Sequence, residues 1–178
     1  MKKTLCFVLA LCMLLLAGCS EDPVAVYTDG PIRQTHVVET ELGEFELSVA
    51  LPTGVYDLSE TADDARFAVD AQVAYLGDKD AVTISYSHSI YDLPKLMGKN
   101  GNALSHLAIT EPLNTVVITG DTPVTDTWDW VELKEIPKGE YVLQMEIYFY
   151  EGEGPVVNED HEVTNQHAHI FEIPILIR

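Results

Sequence analysis

The chain has 178 residues, with 29 Asp and Glu against 10 Lys and Arg, for a formal charge of −19. Such acidity argues against nucleic-acid binding, which needs cationic side chains to displace counterions, and against the chain lying flat on anionic lipid. Its three cysteines, Cys6, Cys12 and Cys19, all fall at the N-terminus. The remainder has no disulfide framework and no thiol chemistry, so a hydrophobic core must hold it together.

Lys2 and Lys3 precede an apolar run that ends at Gly18. The run is shorter than the ~20 residues of a membrane-spanning helix. A basic start, a short apolar segment and small residues before a cut site form the pattern of a secretory signal. Leu16-Ala17-Gly18-Cys19 resembles the lipobox of bacterial lipoproteins. The resemblance implies diacylglycerol on the Cys19 thiol, cleavage before it, and an acyl chain such as palmitate on the new N-terminus. Residues 1–18 are then the signal peptide, 19–33 the lipidated cysteine with its tether, and 34–178 the folded domain. Loss of Lys2 and Lys3 takes the charge to −21. The expected location is the bacterial cell envelope, with the lipid holding the protein to a membrane. Ser20 resembles the residue that sends such proteins to the outer membrane in enteric-type bacteria.

From residue 34 onward the sequence is written in period two. "QTHVVET" (34–40) is a short candidate strand, and Phe45, Leu47, Val49 and Leu51 alternate with smaller or polar residues. Phe67, Val69, Ala71, Val73 and Tyr75 repeat the pattern, as do Val82, Ile84, Tyr86, His88 and Ile90. "YLGDKDAV" between these two runs reads as a hairpin turn. Further short candidates are "HLAIT" (106–110), "NTVVIT" (114–119) and "WDWVEL" (128–133), followed by the long Leu143–Tyr150 alternation and a closing "NQHAHIFEIPILIR". Alternation of this kind marks strands with one buried and one wet face. Pro174 removes an amide donor, so its strand needs a bulge or a free edge there. The fold class expected is all-β, an antiparallel sandwich of about 7–9 strands. Pro137, Gly139 and Tyr141 lead into the Leu143–Tyr150 strand. This resembles the approach to a late strand in immunoglobulin-like and fibronectin-type domains. The resemblance implies an immunoglobulin-like sandwich in which the Tyr141 hydroxyl bonds back to the preceding turn.

Three groups of residues suggest chemistry. His167 and His169 share one strand face with Cα atoms roughly 6.5–7 Å apart, a spacing that suits Zn or Cu. The long segment before them carries Glu159, Asp160, His161 and Glu162, with His161 the candidate third ligand. The alternative is that the histidines mark where the Phe171–Ile177 core face meets solvent. Trp128 and Trp130 share a face in an alternating strand and would form an aromatic surface if exposed. Tyr148 and Tyr150 lie opposite the Leu143–Phe149 face and form a second candidate contact surface. "HEVTN" lacks the second histidine of the zinc-protease pattern, and neither a nucleophile elbow nor a phosphate-cradling glycine loop is present. The expectation is a binding protein without catalysis and without a cofactor. Its partners would be the membrane, through the lipid, and an envelope protein or glycan. Metal binding through His161, His167 and His169 is the alternative.

Overall fold

Alternation in the sequence becomes alternation in space. The computed structural model describes residues 25–104 and 112–178. The signal segment, Cys19 and the candidate strand at 106–110 lie outside them. The strands are β1 (Ile32–Thr40), β2 (Gly43–Leu51), β3 (Val55–Tyr56), β4 (Arg66–Tyr75), β5 (Val82–Tyr86) and β6 (Lys95–Gly98). They continue with β7 (Gly101–Asn102), β8 (Asn114–Ile118), β9 (Val124–Glu132), β10 (Gly139–Glu151) and β11 (Gln166–Ile177). β1 starts two residues ahead of the expected domain boundary.

These strands form the expected all-β sandwich, with eleven strands among the described residues where 7–9 were expected. A four-stranded sheet runs β1-β2-β4-β9, and a seven-stranded sheet runs β3-β11-β10-β5-β8, with β6 paired to β10 farther along the edge that β5 occupies and β7 paired to β6. All pairings are antiparallel except β3 with β11, which is parallel. The odd-numbered residues Phe45–Leu51 of β2 and Phe67–Tyr75 of β4 are buried against Leu143–Phe149 of β10 and Phe171–Ile177 of β11. Phe45 and Phe149 meet across the sheets with ring centroids 4.7 Å apart. Each such side chain contributes about 1.5–3 kcal/mol on leaving water.

β10 and β11 pair without a break from Gly139↔Ile177 to Tyr150↔Gln166. On its other side, among the described residues, β11 meets a strand only at Leu176 and Ile177, through β3, so the missing donor of Pro174 faces an edge with no ladder partner there. At the foot of β10, the Tyr141 hydroxyl donates to the Pro137 carbonyl at 2.7 Å, the bond that the resemblance implied. Its ring lies over Gly98 of β6, where a Cβ would come within 2.7 Å of it.

Two local expectations fail for non-local reasons. Residues 76–81 do not close a hairpin, because both edges of β4 are already taken by β2 and β9. The link instead crosses between the sheets. It is tied to the β1–β2 turn by Leu76 N–H to Glu44 O at 2.8 Å and by the Tyr75 hydroxyl to Leu42 O at 2.9 Å. The Val82–Ile90 alternation also stops early. β5 ends at Tyr86 and His88 is exposed, not on an apolar face. Ile90 reaches the core by another route, its carbonyl accepting from Tyr148 N–H at 2.9 Å.

The sandwich therefore has two distinct ends. One carries residues 25–31, the β2–β4 connection, the approach to β10 and Arg178. The other, the tip, carries the β1–β2 turn, the β4–β5 link, the β8–β9 turn and the β10–β11 segment.

Candidate functional site

The tip holds a cleft of about 700 Å³ between the β1–β2 turn and the β10–β11 segment. Glu39, Thr40 and Glu41 line one side, and Glu151, Asn165 and His167 the other. The β10–β11 segment is built by two asparagines. The Asn165 side chain donates to Glu151 O at 2.6 Å and Gly154 O at 2.8 Å, and accepts from Val156 N–H at 2.7 Å. Asn158 Oδ1 accepts from the amides of Asp160 and Glu162 at 3.0 and 2.9 Å. This turn sets His161 in the left-handed region, φ 65°, where a non-glycine residue is uncommon.

His167 points into the cleft with Nε2 3.5 Å from Glu151 Oε1, a contact that becomes an ion pair when the imidazole is protonated. That carboxylate oxygen is closed off from solvent. Two residues deeper, His169 stacks on His36 of β1 with centroids 3.7 Å apart and planes 7° from parallel. Its other neighbour is the edge of Phe171. Burial, and then the charge of His36, lower the His169 pKa from its usual 6.5. This stack and the Gln34 side chain, which donates to Glu172 O at 3.2 Å, join β1 to β11 across the two sheets.

The proposed ligand set His161, His167 and His169 is not assembled. Among the described residues no three His, Cys, Asp or Glu side chains gather as a metal site. His161 sits exposed in the Asn158 turn, His167 faces Glu151, and the partner of His169 is His36 on another strand. Pairing across the sheets competes with pairing along one strand, and here it prevails.

The aromatic surface divides as well. Phe67 faces Val131 and Val69 faces Trp128, so β9 carries an extra residue opposite β4. This bulge switches the phase of β9. Trp128 is buried in the core, its ring edge-on to Phe67 at 6.2 Å, while Trp130 is 51% exposed. The two tryptophans do not share a face, and Trp128 is core, not contact surface. Tyr148 and Tyr150 lie on the outer side of the other sheet, half-buried and edge to face at 6.0 Å. Burial raises the Tyr148 pKa, opposed by its hydrogen bonds with Ser87.

His36, Glu39 and Glu41 carry no motif that marks them in the sequence, whereas Glu151 and Asn165 belong to the long segment from Glu151 to Gln166, itself expected to be a recognition surface. His36 had one available signal, its place on the inward phase of "QTHVVET". The rest are ordinary loop-end residues whose meeting depends on the sandwich. The tip segments at 39–44, 76–81, 119–123 and 151–165 hold eleven carboxylates and one cation, Lys79, so the field over the cleft is negative. Comparison with protein-family models, curated proteins and solved structures finds no match. Fold and site together define a class, an all-β sandwich with an acidic, histidine-floored cleft at one end.

Proposed function

We propose that this protein is a lipid-anchored binding protein of the bacterial cell envelope, without catalytic activity, that takes a cationic partner at its tip cleft. The observation that carries the reading is the position of the cleft. It opens at the end opposite residues 25–31, facing away from the chain that leads to Cys19. Its carboxylates, Glu39, Glu41 and Glu151, suit a basic segment of an envelope protein or an amine-bearing glycan. The Leu16–Cys19 motif supports the anchor.

Two measurements test this reading. The mass of the protein recovered from membranes should correspond to a chain beginning at Cys19 with attached acyl chains, and Cys19→Ala should abolish membrane retention. A photo-reactive side chain placed at Thr164, beside the cleft, should capture a basic partner in cells. The same group at Thr125, on the outer face of the four-stranded sheet, should not. Capture at Thr125 alone, or loss of nothing on Glu39→Gln/Glu41→Gln substitution, sinks the cleft as the recognition site.

A further inference from the structure

One side of the β11 ladder stands open beside the tip cleft. The odd-numbered phase of this strand faces β10, as Glu151 N–H shows by donating to Asn165 O at 3.0 Å just before the strand begins. The even-numbered phase faces away from β10. Leu176 N–H donates to Gly54 O at 2.8 Å, and the Gln34 side chain donates to Glu172 O at 3.2 Å. β3 takes this outer side at Leu176 and Ile177. Among the described residues, no strand pairs with β11 there from Gln166 to Ile175. The amides of Gln166, Ala168, Ile170 and Glu172 therefore point outward along a stretch of roughly 20 Å, room for a strand of about six residues. Such an edge is a template for another strand unless charge or proline blunts it. Glu172 and Pro174 blunt its far half. The near half carries Gln166, Ala168 and Ile170 on the outward phase, all exposed and none charged.

This open edge begins at the cleft, where His167 is both a β11 residue and part of the lining. Glu39, Glu41 and Glu151 stand at its near end and Glu172 at its far end. Two cations lie close by, and both are engaged. Lys79 donates to Glu41 O at 3.4 Å, and Arg33 bridges Glu46 at 3.3 Å on the outer face of the other sheet. An acidic strand, such as β11 of a second copy, would meet like charge here, whereas a basic strand meets opposite charge. We infer that the cationic partner of the tip cleft is an extended basic polypeptide that adds to β11 as a further strand. Alternate side chains of that strand turn into the cleft, and the others lie beside Ile170. The inference rests on the cleft reading and narrows its ligand from cations in general to a peptide backbone. Main-chain hydrogen bonds would supply affinity, and the side-chain alternation selectivity.

The test uses the chain from Cys19, which contains every described residue, and a fluorescein-labelled peptide of alternating lysine and threonine, about ten residues long so as to overrun the edge. Binding is followed by anisotropy. Two further peptides of the same charge carry N-methyl groups, one on every lysine amide and the other on every threonine amide. In an added strand one of these sets of amides faces β11 and the other faces solvent. Each hydrogen bond lost weakens binding about two- to tenfold. One methylated peptide should therefore bind at least about tenfold more weakly, and the other should bind as the parent does. Ala168→Pro sits on the same outward phase as Pro174, so it removes one donor and spares the β10 ladder. It should weaken the parent peptide about two- to tenfold and leave the circular dichroism spectrum unchanged. The methylated pair needs no variant and decides the matter even if Ala168→Pro does not fold. Equal binding by the two methylated peptides overturns strand addition and leaves the cleft a charge site alone. Binding of spermine but of no peptide does the same. If neither spermine nor any peptide binds, the cleft reading itself falls. Sedimentation should show a monomer without peptide; a dimer that Ala168→Pro dissociates would put a second copy on this edge and overturn the assignment.

Discussion

Trp128 and Trp130 stand two residues apart, and these are the chain's two tryptophans. The β9 bulge buries Trp128 to 1% exposure and leaves Trp130 half in solvent. Trp128→Ala removes a large side chain packed on Phe67 inside the sandwich, and such truncations cost about 3–5 kcal/mol. Against a total stability of about 5–15 kcal/mol this is a severe loss. Trp130→Ala removes a half-exposed ring from an edge strand, and should change stability by no more than about 0.5 kcal/mol. Urea unfolding followed by circular dichroism compares the two. Trp130→Phe and Trp128→Phe then each leave a single fluorophore. The first should emit to the blue and resist acrylamide quenching, and the second should emit to the red and quench freely. Equal destabilisation by the two alanines, or equal quenching of the two single-tryptophan proteins, would falsify the bulge and the phase switch that follows from it.

Three further outcomes follow from the geometry. The His169 pKa is lowered in the fold, by burial and then by His36, so folding favours its neutral form. Its contribution to stability is present above the unfolded value near 6.5 and is lost as pH falls through the depressed folded value. Urea midpoints should decline with acidification from pH ~6.5, and His169→Phe should reduce that slope; an unchanged slope would show that the stack does not titrate with folding. Asn165→Ala deletes three side-chain hydrogen bonds at the base of the β10–β11 segment, at about 0.5–1.5 kcal/mol each. Hydrogen exchange at Val156 and Thr164 should quicken while β11 amides near Ile173 keep their protection. Tyr141→Phe should cost about 0.5–1.5 kcal/mol through the lost bond to Pro137, and Gly98→Ala about 1–3 kcal/mol through the clash with the ring; thermal melts showing neither loss would contradict the arrangement at the foot of β10.

Much of this protein was legible as a one-dimensional pattern. Alternation assigned Phe45–Leu51, Phe67–Tyr75, Leu143–Phe149 and Phe171–Ile177 to the core, because side chains in a strand alternate faces whatever the strand pairs with. The place of Tyr141 and the edge position of Pro174 were legible for the same reason, since each depends on a few neighbouring residues. Partnership was not. Which strand lies beside β4 depends on β2 and β9 reaching its edges first, which no turn sequence at 76–81 records. The phase of Trp130 depends on one extra residue opposed to β4, visible only once the register is set. His169 lies 133 residues from His36 in the chain and 3.7 Å from it in space. The tip cleft likewise joins Glu39–Glu41 to Glu151 and His167. Local patterning determined which residues are buried, because that is a property of a strand and its solvent. The sites were decided by the closing of two sheets, because they are made of residues that meet only when distant strands pack.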